Sequence, residues 1–198
     1  MHPKRLVPAA FALLALPLFV TDTQAQPRRY GAGGFREGYE VTVSLDFTSF
    51  ENNMELDDDT GAGFRFGYLF NPHHEIEFMY NGVTADDSDQ VNFPGETADI
   101  TNLQVSYVFN FTPHGVVPYV TAGLGLVHAE DSSAFLGSET DQVLGLGGGI
   151  RFFLGRVAYL RFELRGNYFD GSGNVFIDGD HYSFAETSFG FGWRFPVR

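Results

Sequence analysis

The chain has 198 residues, with 12 Lys+Arg against 25 Asp+Glu, a formal charge of −13 at pH 7 and no cysteine. So acidic a protein points away from nucleic acid as a partner. Without cysteine it cannot be held by disulfides, whatever compartment it occupies.

The first residues read as an export signal. Met1–Arg5 holds the only lysine, Leu6–Val20 is apolar apart from Pro8 and Pro17, and Thr23-Gln24-Ala25 supplies small residues for cleavage. This expectation covers residues 1–25. Residues 26–36 are then a periplasmic N-terminal segment, and 37–198 suffice for one domain. The apolar run is too short for a comfortable membrane helix, which needs ~20 residues.

From Glu37 onward the pattern has period two, which predicts strands rather than helices. In "EGYEVTVSLDF", Tyr39, Val41, Val43, Leu45 and Phe47 share one face. "AGFRFGYLF" sets Phe64, Phe66, Tyr68 and Phe70 against Gly63, Arg65 and Gly67, and "EIEFMYNG" sets Ile76, Phe78 and Tyr80 against Glu75, Glu77 and Met79. "TNLQVSYVFNF", "PYVTAGLGLV" and "VLGLGGGIRFFL" repeat the alternation, as do "YLRFELRGNY" and "SFGFGWRF". Each of the eight runs is ~8–12 residues, enough to cross a bilayer as a tilted strand.

The connections alternate in length. Short ones fall at Asn71-Pro72-His73-His74, Thr112-Pro113-His114-Gly115 and Gly155-Arg156, while long ones span about 51–60, 84–97, 129–141 and 170–180. The four long connections contain 16 acidic residues and no arginine. These features predict an all-β fold, an eight-stranded antiparallel up-and-down transmembrane β-barrel, with one plain end and one elaborated end.

Period two alone does not say which face is outside. The polar face is rich in glycine, which weakens a water-exposed strand but suits a narrow lumen. It also carries Arg65, Glu77, Arg151, Arg161, Glu163, Arg165, Glu186 and Arg194, with Asp46. Inside a barrel these would form an ion network, because the planar guanidinium suits buried carboxylates. The nearly uncharged face would then meet lipid. The arginines at 28, 29, 36, 156 and 198 gather at the plain end with both termini, which would be periplasmic.

Over about residues 37–195 the chain resembles the small eight-stranded outer-membrane barrels, the OmpA transmembrane-domain and OmpX-like proteins. The resemblance is sharpest at Ser188, Gly190, Trp193 and Phe195, which fit the C-terminal assembly signal of that group. It departs where Pro196-Val197-Arg198 follow the terminal aromatic. The resemblance implies recognition by the barrel-insertion machinery and residence among outer-membrane lipid and lipopolysaccharide. It also implies a non-enzymatic, structural or interacting role, most simply as a monomer.

Other chemistries have weaker signals. "DHYSFAE" places His181 and Ser183 on one strand face, similar in part to the His-x-Ser of outer-membrane lipid A deacylases. Phe184 stands where that motif has Asn, and Glu186 is on the opposite face. Lipid A hydrolysis therefore stays an alternative to a polar rim, as does a narrow small-solute channel. Asp57, Asp58, Asp59 and Asp86, Asp87, Asp89 could bind divalent cations loosely beside lipopolysaccharide phosphates, or simply be solvated. "DGSGNVFIDGD" lacks the glycine and closing glutamate of a calcium loop. His73, His74 and His114 lack further zinc ligands, and no glycine cluster has nucleotide-binding spacing. No cofactor is expected.

Overall fold

A computed structural model describes residues 37–51, 58–86, 97–113, 115–131, 138–171 and 181–197. The export signal and the segment to residue 36 lie outside the described residues, as do Asp57, Asp87, Asp89 and His114.

Eight strands follow in chain order: β1 (Gly38–Phe50), β2 (Asp59–Asn71), β3 (His74–Asp86), β4 (Thr97–Asn110), β5 (Val116–Asp131), β6 (Ser138–Phe153), β7 (Ala158–Asp170) and β8 (His181–Pro196). Each pairs antiparallel with its neighbours, and β8 closes on β1. Phe189, Phe191, Trp193 and Phe195 sit in this closing ladder, so β8 is held along its length. Closure leaves no unpaired edge, which a membrane-spanning sheet requires.

The register sets the barrel's width. The row Tyr39, Tyr68, Ile76, Tyr107, Ala122, Leu146, Gly166, Ala185 returns to β1 at Ser49, ten residues further along. With ~3.3 Å per residue and ~4.8 Å between strands, that stagger gives a tilt of about 40° and a backbone radius of about 8 Å. Such a lumen has room for side chains and little else.

The strands are 13–16 residues long, longer than the sequence runs suggest. The extra residues come from segments expected to be loops: Asp59 opens β2 and Asp86 ends β3. A change of face explains why they were hidden. Along the short-turn half of each strand, the outward residues are apolar and exposed, such as Val43, Leu45, Phe64, Phe78, Val105, Leu124, Leu146, Leu164 and Phe189. Toward the long loops the outward positions become Ser49, Thr84, Asp99, His128, Thr140 and His181, while most inward ones become apolar, Glu139 and Asp141 of β6 excepted. The pleat is unbroken; only the chemistry of the two faces is exchanged. The short-turn part of each strand thus suits lipid and the long-loop part water, so the exchange marks one boundary of an apolar band.

Short turns close the other end. In the β2–β3 turn Asn71 Oδ1 accepts from the His73 backbone N–H at 2.9 Å, a local turn bond typical of asparagine. Gly115, before β5, has φ +73° and needs glycine's freedom.

Candidate functional site

The inward side chains fill the lumen in three layers. Nearest the short turns, Leu69, Val117 and Tyr159 are buried. Arg194 donates to Glu40 there, and its guanidinium lies 4.5 Å over the Phe153 ring.

Ions form the middle layer. Glu163 is its centre: its Oε1 accepts from Arg65 Nη1 at 2.9 Å and Arg165 Nε at 3.0 Å, and its Oε2 from Arg161 Nη2 at 2.6 Å and Tyr119 Oη at 2.7 Å. Arg161 also grips Glu77 through both terminal nitrogens, one at 3.0 Å, and donates from Nε to Tyr119 Oη at 2.8 Å. Arg65 reaches Glu77 at 3.5 Å and donates to Ser188 Oγ at 3.1 Å. Arg151 Nη1 donates to Glu75 Oε2 at 2.8 Å and Asn110 Oδ1 at 3.0 Å, and lies 3.4 Å from Glu40. Its guanidinium stands 4.7 Å from the Tyr119 ring, and that of Arg161 stands 4.9 Å from it, which adds cation–π attraction. Arg151 and Glu163 are both 0% exposed. Buried charges of this kind persist only when paired and hydrogen-bonded.

Glycine makes the room. Tyr119 lies directly across from Gly149, and Tyr159 across from Gly192. A Cβ at Gly149 would come 2.7 Å from the Tyr119 ring and closer still to the Phe162 carbonyl oxygen, and one at Gly192 would come within 2.6 Å of the Tyr159 ring. The glycine-aromatic alternation of the sequence thus lets the tyrosines fold inward over the backbone.

Above the ions, Arg165 Nη1 donates to Gln104 Oε1 at 2.9 Å, and Gln104 passes a bond to Asn167 at 2.7 Å. Asn167 and Asn81 both donate to Glu186. The third layer is apolar: Phe50, Ala85, Ile100, Val127, Ala129, Val143, Phe169, Tyr182 and Phe184 cluster across the long-loop end of the lumen. Phe169 stacks on Tyr182 with centroids 5.6 Å apart.

Seven of the eight residues expected in the ion network meet opposite charges: Arg65, Glu77, Arg151, Arg161, Glu163, Arg165 and Arg194. Glu186 does not; asparagine amides hold it, and no ion pair forms on it among the described residues. The network also recruits Glu40, Glu75 and Tyr119, which sequence reasoning left out. Their inward parity was the available signal; which arginine each would meet depends on register.

The assembly-signal residues divide by face. Ser188 and Gly190 point inward, while Trp193 and Phe195 are exposed outside. Asp58 and Asp59 serve the chain itself: Asp58 accepts from Phe50 N and Ser49 Oγ, each at 3.1 Å, and Asp59 accepts from Thr60 N at 2.6 Å. No group of three or more His, Cys, Asp or Glu side chains placed to hold a metal ion occurs among the described residues.

His181 and Ser183 lie on the outer face at the long-loop rim. His181 Nδ1 is 2.5 Å from Asp170 Oδ1 on β7, a carboxylate the sequence reading had not matched to it. Ser183 Oγ donates to Glu51 at 2.9 Å. At the other end His73 Nδ1 meets the Asn110 carbonyl at 2.8 Å, and His74 contacts Tyr107.

Comparison with known proteins agrees with this geometry. The family model described as the outer membrane protein beta-barrel domain matches residues 11–195. No curated protein sequence matches. Among solved structures, Neisserial surface protein A is 16% identical, with a TM-score of 0.56 over 81% of this chain and 97% of that one. AlkL, solved in lipid bilayers, is 15% identical, with a TM-score of 0.56 over 85% of this chain and 95% of that one. OprG of Pseudomonas aeruginosa is 12% identical, with a TM-score of 0.54 over 83% of this chain and 99% of that one. At these identities the likeness is one of fold. A closed eight-stranded barrel with an apolar exterior and an ionic interior, matched by a family model along nearly its whole length, places this chain in the outer-membrane β-barrel family.

Proposed function

We propose that the protein is a non-enzymatic, non-conducting outer-membrane barrel whose role is structural or rests on recognition by its long acidic loops. The filled lumen carries this reading: an ion network and an apolar plug occupy successive levels of one narrow barrel. Both termini face the periplasm, and the acidic loops face outward among lipopolysaccharide, where shared divalent ions relieve repulsion between loop carboxylates and phosphates. Ser188, Gly190, Trp193 and Phe195 present the assembly signal to the insertion machinery, and the barrel works as a monomer. The test is conductance in planar bilayers. The native protein is expected to give no steady current; a sustained native conductance would overturn the proposal.

A second reading, hydrolysis of a lipid acyl ester by Ser183 and His181, draws support from Asp170 on His181 Nδ1. Against it, the Ser183 hydroxyl is committed to Glu51. Lipid A composition with and without expression separates the two readings: an acyl chain lost with the native protein and retained with Ser183→Ala would establish the enzyme.

A further inference from the structure

One part of the lumen is polar and acidic yet beyond the ion network. Asp46 is 1% exposed and Glu186 is 2% exposed, directly beneath the apolar plug. Thr48 pairs with Glu186 and Asp46 with Ser188, so the two carboxyl groups stand diagonally on β1 and β8, within reach of a shared ligand. Arg165 lies across from Glu186 on β7, but its guanidinium turns to Glu163, Gln104 and Ser106. Among the described residues, Asp46 Oδ2 accepts from Ser44 alone, at 3.3 Å, while Asp46 Oδ1 has no hydrogen-bond partner. Asn81 gives its amide N–H to Glu186, and its buried Oδ1 likewise has no partner among the described residues.

These groups surround a small cavity. Asp46, Thr48, Asn81, Asn102 and Glu186 line about 10 Å³ under Phe184 and Ile100, room for one water-sized occupant. Two carboxylates, amide groups and a hydroxyl make an oxygen-dominated donor set, which suits a hard cation over a soft one. Charge sets the valence. Apart from Glu139 and Asp141, which are buried on β6 at the level of the plug, the described lumen buries six carboxylates below it, those of Asp46 and Glu186 and the four paired glutamates, against five guanidiniums. A single positive charge balances them, and unbalanced buried carboxylates are strongly unfavourable.

We propose that the upper lumen holds one monovalent metal cation between Asp46 and Glu186. Asn81 Oδ1 is its third protein oxygen, and the plug of Phe184 and Ile100 closes over it. A water molecule beside a protonated carboxyl group would fill the same volume and balance the same charge, and the cation measurements tell the two apart.

Two measurements on the refolded full-length barrel decide the matter. Crystals equilibrated with thallium(I) should show an anomalous peak between Asp46 and Glu186, absent in Asp46→Asn. No peak there, or occupancy by Ca²⁺ that excludes thallium, would overturn the proposal. Replacing potassium by choline at constant ionic strength should lower the folding equilibrium constant about tenfold, as expected for a cation about tenfold above its dissociation constant. Asp46→Asn should lose this dependence, and Glu186→Gln serves if that variant does not fold. A native barrel indifferent to the exchange, or variants that keep the full dependence, would refute it; the exposed loop acids remain in both and act as the control.

Discussion

Replacing Glu163 by glutamine removes the charge on which the lumen converges while keeping the side chain's size. In the native barrel its two oxygens accept from three guanidiniums and the Tyr119 hydroxyl. In Glu163→Gln, Arg65, Arg161 and Arg165 stay buried, but only Glu77 remains among their carboxylate partners. One surviving amide oxygen cannot satisfy four donors. Breaking a buried ion pair from one side costs about 3–5 kcal/mol, and the sharing of Glu163 places the expected loss toward the upper end. The assay is urea unfolding of the barrel in lipid vesicles, followed by tryptophan fluorescence, since Trp193 is the single tryptophan. Arg65→Gln in the same background should recover part of the loss, because it removes one orphaned cation, and a double-mutant cycle measures that coupling. A Glu163→Gln barrel within about 1 kcal/mol of native would mean the lumen is wet enough to solvate its charges, and the reasoning would fail.

Three other changes probe the remaining layers. Phe184→Ala hollows the apolar plug and should cost about 3–5 kcal/mol in the same assay; a negligible change would mean the plug is not packed. Gly149→Ala drives a methyl group against the Phe162 carbonyl and the Tyr119 ring and should cost about 1–3 kcal/mol or more, whereas Gly155→Ala, with open space around it, should be close to neutral. Leu164→Arg, within the exposed apolar band, should destabilise by about 2–4 kcal/mol, and Thr101→Arg, beyond the change of face, by about 0–1 kcal/mol. Equal penalties at the two sites would misplace the hydrocarbon boundary.

Much of this architecture could be read from alternation alone. Phe64-x-Phe66-x-Tyr68-x-Phe70 specifies a face without reference to any other strand, as does each of its seven counterparts. Long-range pairing was less accessible. That Arg151 would meet Glu75 and Glu40, or that Glu186 would receive two asparagines, follows from a ten-residue stagger accumulated over eight strands, and no local pattern encodes it. The ends of the strands were hidden for a different reason. Ile100, Phe169 and Phe184 are apolar on the parity that is polar elsewhere, so they interrupt the alternation where the runs read from the sequence stop. They are the same strands leaving lipid for water.

The assignment of faces underlies every step, and single nitroxide labels test it most directly, on a chain whose sequence contains no native cysteine to interfere. Labels at Leu160, Phe162 and Leu164 of β7, in vesicles, should relax strongly with dissolved oxygen and weakly with a water-soluble nickel chelate, while a label at Asp170 should show the reverse. If the labels at 160, 162 and 164 instead respond to the chelate and not to oxygen, the apolar face is not in hydrocarbon and the account is wrong.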